Sequence, residues 1–202
     1  MISILDYGAG NLRSVENTLG AIGAEYELVR DAEGLERASK IILPGVGHFG
    51  QMMRALDQLG VRNALTDRIR AGVPFLGICL GLQALFTSSE EAPEERGLGL
   101  YPGQIRRFHG DMRIPHMGWN QLQPVASKSG NGSHLLAGAG DKPYVYFAHS
   151  YYAPVVAETS ATCEYAVPYT AVLEDKNVAG VQFHPEKSGE MGQRIVANFV
   201  KS

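Results

Sequence analysis

A cysteine between two glycines, at the end of an apolar stretch, is the first feature of this sequence that could do chemistry. Residues 74–83 read PFLGICLGLQ, with Cys79 near the centre. The apolar run before Cys79 predicts a buried strand, and the apolar spacing from 80 to 86 predicts a helix after it. The G-x-C-x-G spacing is typical of a nucleophile elbow, and the helix amino terminus would favour the thiolate. A cysteine in an apolar run is also often a small core residue, so this pattern alone does not decide.

A histidine and a glutamate near the other end of the chain could activate this thiol. Residues 180–188 read GVQFHPEKS, so an apolar strand ends at His184 and Glu186 follows across a proline. An imidazole can hold the proton of a thiol, and a carboxylate behind the ring fixes its tautomer. A His beside a Glu is by itself common on protein surfaces, but together with Cys79 the order predicts a Cys–His–Glu triad.

Two further segments could complete a site around the thiol. Gln83 lies one helical turn after Cys79 on the same side, so its amide either binds a substrate or is an exposed or capping group. The backbone N–H of Leu80 follows the thiol directly and could stabilise an oxyanion. The turn PGVG at residues 44–47 follows an apolar strand, and the glycines on either side of Val46 leave that peptide free to reorient.

The predicted triad resembles that of the class I glutamine amidotransferase family, whose glutaminase domain releases ammonia from the glutamine side chain. Within this family, the sequence is similar to the glutaminase subunits of imidazole glycerol phosphate synthases, and the similarity runs from residue 2 to about 200. The segments that carry it are DYGAGNL at 6–12, PGVG at 44–47, PHMGWN at 115–120 and FAHSYY at 147–152.

The resemblance implies roles that the spacing alone does not give. It implies Cys79, His184 and Glu186 as catalytic residues. The oxyanion hole would use the N–H of Leu80 with that of Val46 or Gly47, and the glutamine contacts would be Gly45, Gln83, Ser150 and Tyr151. His149 is not the expected base, because no carboxylate follows it as Glu186 follows His184.

The resemblance also implies a protein partner. The expected partner is a cyclase subunit with a (β/α)₈ barrel, joined to this chain as a heterodimer. Ammonia would pass to that subunit, which would make imidazole glycerol phosphate and an aminoimidazole carboxamide ribotide in histidine biosynthesis. The residues implied at the interface are Asn11, Trp119, Tyr146 and Lys187.

Alternating apolar strands and amphipathic helices must position these residues. The pattern predicts an α/β fold of three layers, with a mostly parallel central sheet, helices on both faces and an added antiparallel patch. Predicted strands lie at 2–5, 26–29, 41–43, 75–78, 104–108, 118–122, 144–148, 161–167, 170–173 and 178–183. Predicted helices lie around 11–22, 31–38, 48–71 with a break at Gly60, 80–86 and 190–200. Residues 88–96, with their glutamates in solvent, and 127–140 are predicted loops.

Composition narrows the function classes. The 202 residues predict a single domain over 1–202, and the formal charge of -3 without a basic cluster indicates neither nucleic acid nor an anionic membrane as partner. No apolar run reaches the length of a membrane span, and two cysteines make no disulfide framework, so we expect a cytoplasmic protein. His109, Asp111 and His116 lack paired ligand spacing, so neither a metal nor another cofactor is expected.

Three other functions remain open at this point. A glutaminase subunit of another pathway, such as pyridoxal phosphate synthesis, would use the same triad, although the PHMGWN segment argues against it. A cysteine hydrolase of the same fold acting on peptides would also need an activated thiol. A catalytically silent assembly subunit is the alternative outside enzymes, and the complete set of triad residues argues against it.

Overall fold

The structure, a computed structural model, describes residues 1–125 and 132–202, so part of the predicted loop at 127–140 lies outside it. The strands are β1 (Ile2–Leu5), β2 (Tyr26–Val29), β3 (Lys40–Gly45), β4 (Phe75–Cys79), β5 (Phe86–Ser89), β6 (Tyr101–Arg107), β7 (His116–Gln121), β8 (Gln123–Pro124), β9 (Tyr144–His149), β10 (Tyr151–Tyr152), β11 (Thr159–Tyr165), β12 (Val167–Asp175) and β13 (Val178–Val181). The helices are α1 (Leu12–Ala21), α2 (Ala32–Arg37), α3 (Phe49–Gln58), α4 (Arg62–Arg70), α5 (Leu80–Gln83) and α6 (Gly189–Lys201), with a 3₁₀ turn at Pro185–Lys187.

The central sheet runs in the order β2-β1-β3-β4-β13-β12-β11-β8. Its strands are parallel from β2 to β13 and antiparallel from there to β8, which confirms the predicted sheet with its antiparallel patch. Alternate residues of the parallel strands point to opposite faces, so each face needs its own helical layer. Helices α2, α3 and α4 pack in one apolar core and helices α1 and α6 in the other.

Three neighbouring strands end at the same edge of the sheet. In the register, Gly45 at the end of β3 pairs with Cys79, and Val181 at the end of β13 pairs with Ile78 on the other side of β4. The residues that follow these strands therefore start close together. They are the turn at 46–47, Cys79 itself, and the segment leading to His184.

The glycines around Cys79 are required by backbone packing. A Cβ at Gly81 would lie 2.0 Å from the carbonyl oxygen of Leu43, and one at Gly77 would lie 2.5 Å from the oxygen of Gly81. One at Gly45 would lie 2.7 Å from the Cβ of Leu80. Helix α5 can approach β3 and β4 this closely only because side chains are missing at these positions.

The predicted helix after Cys79 is wrong in its length. Helix α5 ends at Gln83, and Phe86 already belongs to β5, which pairs in parallel with β6. The N–H of Leu98 donates to the oxygen of Ala84 at 2.7 Å, so long-range pairing replaces the next helical turn. A helix of one turn has little macrodipole, so only its free N–H groups, such as that of Leu80, remain to stabilise a negative charge.

The acidic segment predicted as a solvated loop is partly ordered by contacts. Ser88 and Ser89 belong to β5. The carboxylate of Glu91 accepts the N–H of Phe49 at 2.7 Å and so caps the start of α3, while Glu95 pairs with Arg54 at 2.7 Å. Assigning these two glutamates to solvent was wrong, because their partners lie more than 40 residues away in sequence. Among the described residues, no helix is long and apolar enough to cross a membrane.

Two glycine substitutions test the packing of the elbow. Gly81→Ala should lower the free energy of unfolding by about 1–3 kcal/mol or more, because the new Cβ meets backbone that cannot retreat. Gly20→Ala, at an exposed position of α1 where a Cβ meets nothing within 4 Å, should raise it by about 0.5–1 kcal/mol. Urea unfolding of both variants measures the difference, and equal behaviour of the two would contradict the packing argument.

Candidate active site

Cys79 is the residue at which the chain turns from β4 into α5. Its backbone has φ 53 and ψ -103, a conformation that costs a side-chain-bearing residue about 1–3 kcal/mol. The side chain is 6 % exposed, so the thiol is almost withdrawn from bulk water. A strained backbone at the end of a central strand is the geometry that the G-x-C-x-G spacing predicted.

His184 and Glu186 form a buried pair beside this thiol. The Nδ1 atom of His184 lies 2.8 Å from Oε1 of Glu186, and both side chains are almost fully buried. The amide of Asn11 also approaches this oxygen, at 3.4 Å. Since Nδ1 is held by the carboxylate, Nε2 is the ring nitrogen left to exchange a proton with Cys79. The structure therefore brings together the three residues of the predicted triad.

The pKa of His184 reports how these groups interact. Burial alone would lower this pKa, but the negative charge of Cys79 and a hydrogen bond to it, followed by the hydrogen bond and charge of Glu186, raise it to about 10. The protonated form of His184 is thus favoured at neutral pH. Because the pKa of His184 is raised on folding, its protonation stabilises the folded state. This contribution is fully present below the unfolded pKa near 6.5 and is lost as the pH rises through the folded pKa.

Gln182 is a contact of the thiol that the sequence analysis missed. Its Nε2 donates to Sγ of Cys79 at 3.5 Å, and its Oε1 accepts from Nε2 of Gln83 at 3.0 Å. The only signal in the sequence is a polar residue in an otherwise apolar strand end, GVQF. The side chain of Gln182 thus places a hydrogen-bond donor directly on the sulfur of Cys79.

A cavity of about 260 Å³ opens onto the thiol. It is small for a ligand pocket, whose volumes run from roughly 300 to 1,000 Å³. The residues that line it are Val46, Gly47, Cys79, Leu80, Gln83, Glu91, Pro115, Met117, Ala148, His149, Ser150, Tyr151 and His184. Of the predicted glutamine contacts, Gln83, Ser150 and Tyr151 reach the cavity, whereas Gly45 is a buried packing position behind it.

The turn at Val46 and Gly47 forms one wall of this cavity. Gly47 has φ 97, a conformation suited to glycine, and a Cβ there would meet nothing within 4 Å. Val46 is half-exposed. Next to this turn the hydroxyl of Tyr7 is buried without a hydrogen-bond partner, although the backbone of Val46 comes near it. These features allow the peptide between Val46 and Gly47 to reorient, and its reorientation stays a prediction.

His149 lies in the cavity wall but has no free nitrogen. Its Nδ1 lies 2.8 Å from the oxygen of Tyr151, and its Nε2 lies 3.3 Å from the hydroxyl of Tyr169. Burial lowers the pKa of His149 to about 3. A neutral ring with both nitrogens hydrogen-bonded is unsuited to act as a base, which leaves His184 for that role.

The predicted interface residues lie together beside the site. Trp119 on β7 pairs with Tyr146 on β9, their rings meet edge to face at 6.2 Å, and Nζ of Lys187 lies 5.9 Å from the centre of the Tyr146 ring. Trp119 is 57 % exposed, and Met117 on the same strand is also exposed. Asn11 is linked to this region through Glu186. Their roles as partner contacts stay a prediction.

The described residues contain no group of three or more His, Cys, Asp or Glu side chains that could hold a metal ion. His116, one of the histidines considered for such a site, has Nδ1 against the hydroxyl of Tyr169 and Nε2 against the amide of Asn120.

Known proteins are similar to this chain in fold and in sequence. A family model for class-I glutamine amidotransferases matches residues 3–202, so the chain belongs to that class. The solved structure of a glutamine amidotransferase superposes with a TM-score of 0.76 at 20 % identity and covers 99 % of this chain and 97 % of that one. PurLQS from Thermotoga maritima gives a TM-score of 0.74 at 21 % identity, with the same coverage. At this identity the two structures support the fold only.

The curated relatives are much more similar. The imidazole glycerol phosphate synthase subunit HisH of Methanothermobacter thermautotrophicus is 48 % identical over 202 residues, which are 100 % of this chain and 98 % of that protein. The HisH subunit of Deinococcus radiodurans is 43 % identical, with 98 % and 92 % of the two chains covered. The HisH subunit of Thermus thermophilus is 44 % identical, with 96 % and 93 % covered. Within its class, the chain belongs to the family of HisH subunits of imidazole glycerol phosphate synthase.

The charge on Cys79 should be visible in the titration of His184. Cys79→Ala removes the charge and the hydrogen bond that raise the pKa of His184 but leaves the burial that lowers it, so the pKa should fall. NMR titration of the His184 ring measures the change. Cys163→Ala, which removes the other buried thiol, is the matched control and should leave the pKa unchanged. An unchanged pKa in Cys79→Ala would contradict the proposed contact.

Proposed function

We propose that this chain hydrolyses the side-chain amide of glutamine to glutamate and ammonia, and that it delivers the ammonia to a partner subunit. The observation that carries the proposal is the buried Cys79–His184–Glu186 arrangement at the floor of a small cavity. A charged thiolate–imidazolium pair supplies both a nucleophile and a proton donor in one site. That combination is what cleavage of an unreactive carboxamide requires.

The reaction follows from the order of these groups. Sγ of Cys79 attacks the side-chain carbonyl carbon of glutamine, and the carbonyl π electrons move onto oxygen. The tetrahedral intermediate collapses, the C–N bond breaks, and Nε2 of His184 gives its proton to the departing nitrogen, which leaves as ammonia. Water, deprotonated by His184, then attacks the thioester, which releases glutamate and returns the thiolate. Glu186 holds Nδ1 of His184 throughout.

The remaining cavity residues would bind glutamine and stabilise the oxyanion. We assign the oxyanion hole to the N–H of Leu80 with that of Val46 or Gly47, a choice supported by their place in the cavity wall. Both amide hydrogens of Gln83 are engaged, by Tyr151 and Gln182, so Gln83 would offer its Oε1 to the substrate. Ser150 and Tyr151 would bind the amino-acid end of glutamine, and Gly45 would contribute only through backbone.

The proposed use of the ammonia is inferred from the family to which the chain belongs. The relatives described above are named as subunits of imidazole glycerol phosphate synthase. The proposed partner is a cyclase subunit with a (β/α)₈ barrel that makes imidazole glycerol phosphate and an aminoimidazole carboxamide ribotide. The exposed Trp119 and the stacked Tyr146 and Lys187 are the surface we assign to it, with Asn11 at its edge.

The relatives' names do not favour the pyridoxal phosphate alternative. Two free cysteines suit a reducing cytoplasm.

Removing the thiol should abolish the activity. Cys79→Ala should lower ammonia release from glutamine by at least about 10³-fold, because Cys79 is the only thiol among the described residues that line the cavity. Cys163→Ala, a buried core cysteine on β11, is the control and should retain near-normal kcat. The measurement is ammonia release by the chain with and without the cyclase subunit and its nucleotide ligand. Comparable activity in both variants, or none in the intact chain under any condition, would contradict the proposal.

The role of the turn at Gly47 can be separated from its backbone strain. Gly47→Ala should lower kcat for glutamine hydrolysis about tenfold or more, since it restricts the peptide assigned to the oxyanion hole. Gly72→Ala imposes a matched strain, because Gly72 has φ 92 against 97 for Gly47 and both have open space around them. Gly72→Ala should lose similar stability and keep its kcat. Equal kcat in the two variants would show that the turn does not contribute to catalysis.

A further inference from the structure

A hydrogen-bonded chain crosses the aromatic part of the core next to the cavity. It runs from Asn120 to His116 at 3.3 Å, from His116 to the hydroxyl of Tyr169 at 3.2 Å, and from that hydroxyl to His149 at 3.3 Å. Its last link joins His149 to the carbonyl oxygen of Tyr151 at 2.8 Å. These residues come from β7, β9, β10 and β12. The proposed mechanism makes no direct use of Asn120, His116 or Tyr169.

The direction of the hydrogen bonds is fixed at the cavity end. A carbonyl oxygen only accepts, so Nδ1 of His149 must carry the hydrogen that faces Tyr151. Burial lowers the pKa of His149 to about 3, so the ring is neutral and its Nε2 is an acceptor. The hydroxyl of Tyr169 must therefore donate to Nε2 of His149. Cys163 also lies against this hydroxyl, but a thiol accepts more weakly than an imidazole nitrogen.

The direction is fixed independently at the outer end. Oδ1 of Asn120 accepts the N–H of Gln121 at 2.7 Å, so its Nδ2 faces the oxygen of Glu164 and Nε2 of His116. Burial lowers the pKa of His116 to about 4. Nε2 of the neutral ring accepts, so Nδ1 carries the hydrogen and donates to the oxygen of Tyr169. Both ends thus require the same arrangement, in which Tyr169 accepts from His116 and donates to His149.

The chain continues from the Tyr151 carbonyl into the proposed glutamine site. Nε2 of Gln83 donates to the same oxygen at 2.8 Å and to Oε1 of Gln182 at 3.0 Å, and Gln182 donates to Sγ of Cys79. The carbonyl of Tyr151 thus receives hydrogens from His149 on one side and Gln83 on the other. A group that orients His149 therefore also helps to fix the Tyr151 carbonyl, which is the acceptor for the Gln83 amide.

The rings of this chain have little freedom to adopt another arrangement. His116 is stacked between Tyr165 at 4.0 Å and Phe147 at 4.8 Å, with interplanar angles of 13° and 19°. The ring of Tyr169 is fully buried. Loss of one member would therefore leave its neighbours unpaired in the core rather than bonded to water.

We propose that the chain Asn120–His116–Tyr169–His149 is a positioning network for the glutamine pocket, in which the Tyr169 hydroxyl sets the orientation of His149 and, through the Tyr151 carbonyl, of the Gln83 amide. The proposal rests on the proposed glutaminase function for its kinetic consequences. Its structural part, the direction of the hydrogen bonds and the effect on Gln83, does not depend on that function.

Tyr169→Phe tests the network, because it removes one oxygen and leaves the ring. The variant leaves Nε2 of His149 without a donor and Nδ1 of His116 without an acceptor. The KM for glutamine should rise about tenfold while kcat stays within about twofold, since the pocket is disturbed and the triad is not. Tyr101→Phe is the matched control, because its buried hydroxyl bonds to Asp175 at 3.3 Å in the other core. It should lose comparable stability with an unchanged KM.

Two NMR measurements decide the structural part without any activity. Nitrogen shifts of the intact chain should show His116 and His149 as neutral rings with the hydrogen on Nδ1. The side-chain amide resonances of Gln83 should shift in Tyr169→Phe and not in Tyr101→Phe. A hydrogen on Nε2 of His149, a Gln83 amide that Tyr169→Phe leaves unmoved, or an equal rise of KM in both variants would overturn the network. If the intact chain with its partner hydrolyses no glutamine, the proposed function is wrong, and the NMR results still decide the network.

Discussion

The close approach of helix α5 to strands β3 and β4 is the constraint on which the rest of the site depends. It leaves no room for a Cβ at Gly45, Gly77 or Gly81, and it forces the backbone of Cys79 to a positive φ. The strain at one residue is offset by the burial of apolar side chains on both faces of β4. The thiol is thereby held at the end of the strand, where it lines the cavity.

The sheet topology then supplies the partners of the thiol. Because β4 lies between β3 and β13 and all three are parallel, their ends deliver the Val46–Gly47 turn on one side and the His184 segment on the other. Burial disfavours the charged form of His184, and the interactions with Cys79, followed by those with Glu186, together raise its pKa and keep it protonated. The side chains of Gln182 and Gln83 add a hydrogen-bonded link from the thiol to the glutamine pocket.

The sequence predicted the parts of the molecule that local patterns determine. The parallel strands, the helices of both layers and the three triad residues follow from apolar periodicity and from residue types that only a few chemistries use. The length of α5 and the contacts of Glu91 and Glu95 were mistaken, because distant backbone and side chains decide them. Gln182 and the Tyr169 network were missed for the same reason. Gln83 lies 99 residues from Gln182, and His116 lies 53 from Tyr169, so no spacing along the chain indicates these contacts.

The most direct test of the account is the site at which an electrophilic glutamine analogue reacts with the intact chain. After incubation with an analogue that carries a chloroketone in place of the side-chain amide, peptide mass spectrometry should find the adduct on Cys79. Cys163 should be unmodified, and excess glutamine should prevent the reaction. An unlabelled Cys79, equal labelling of both cysteines, or labelling that glutamine does not reduce would contradict the claim that the strained, paired thiol of Cys79 is built to attack glutamine.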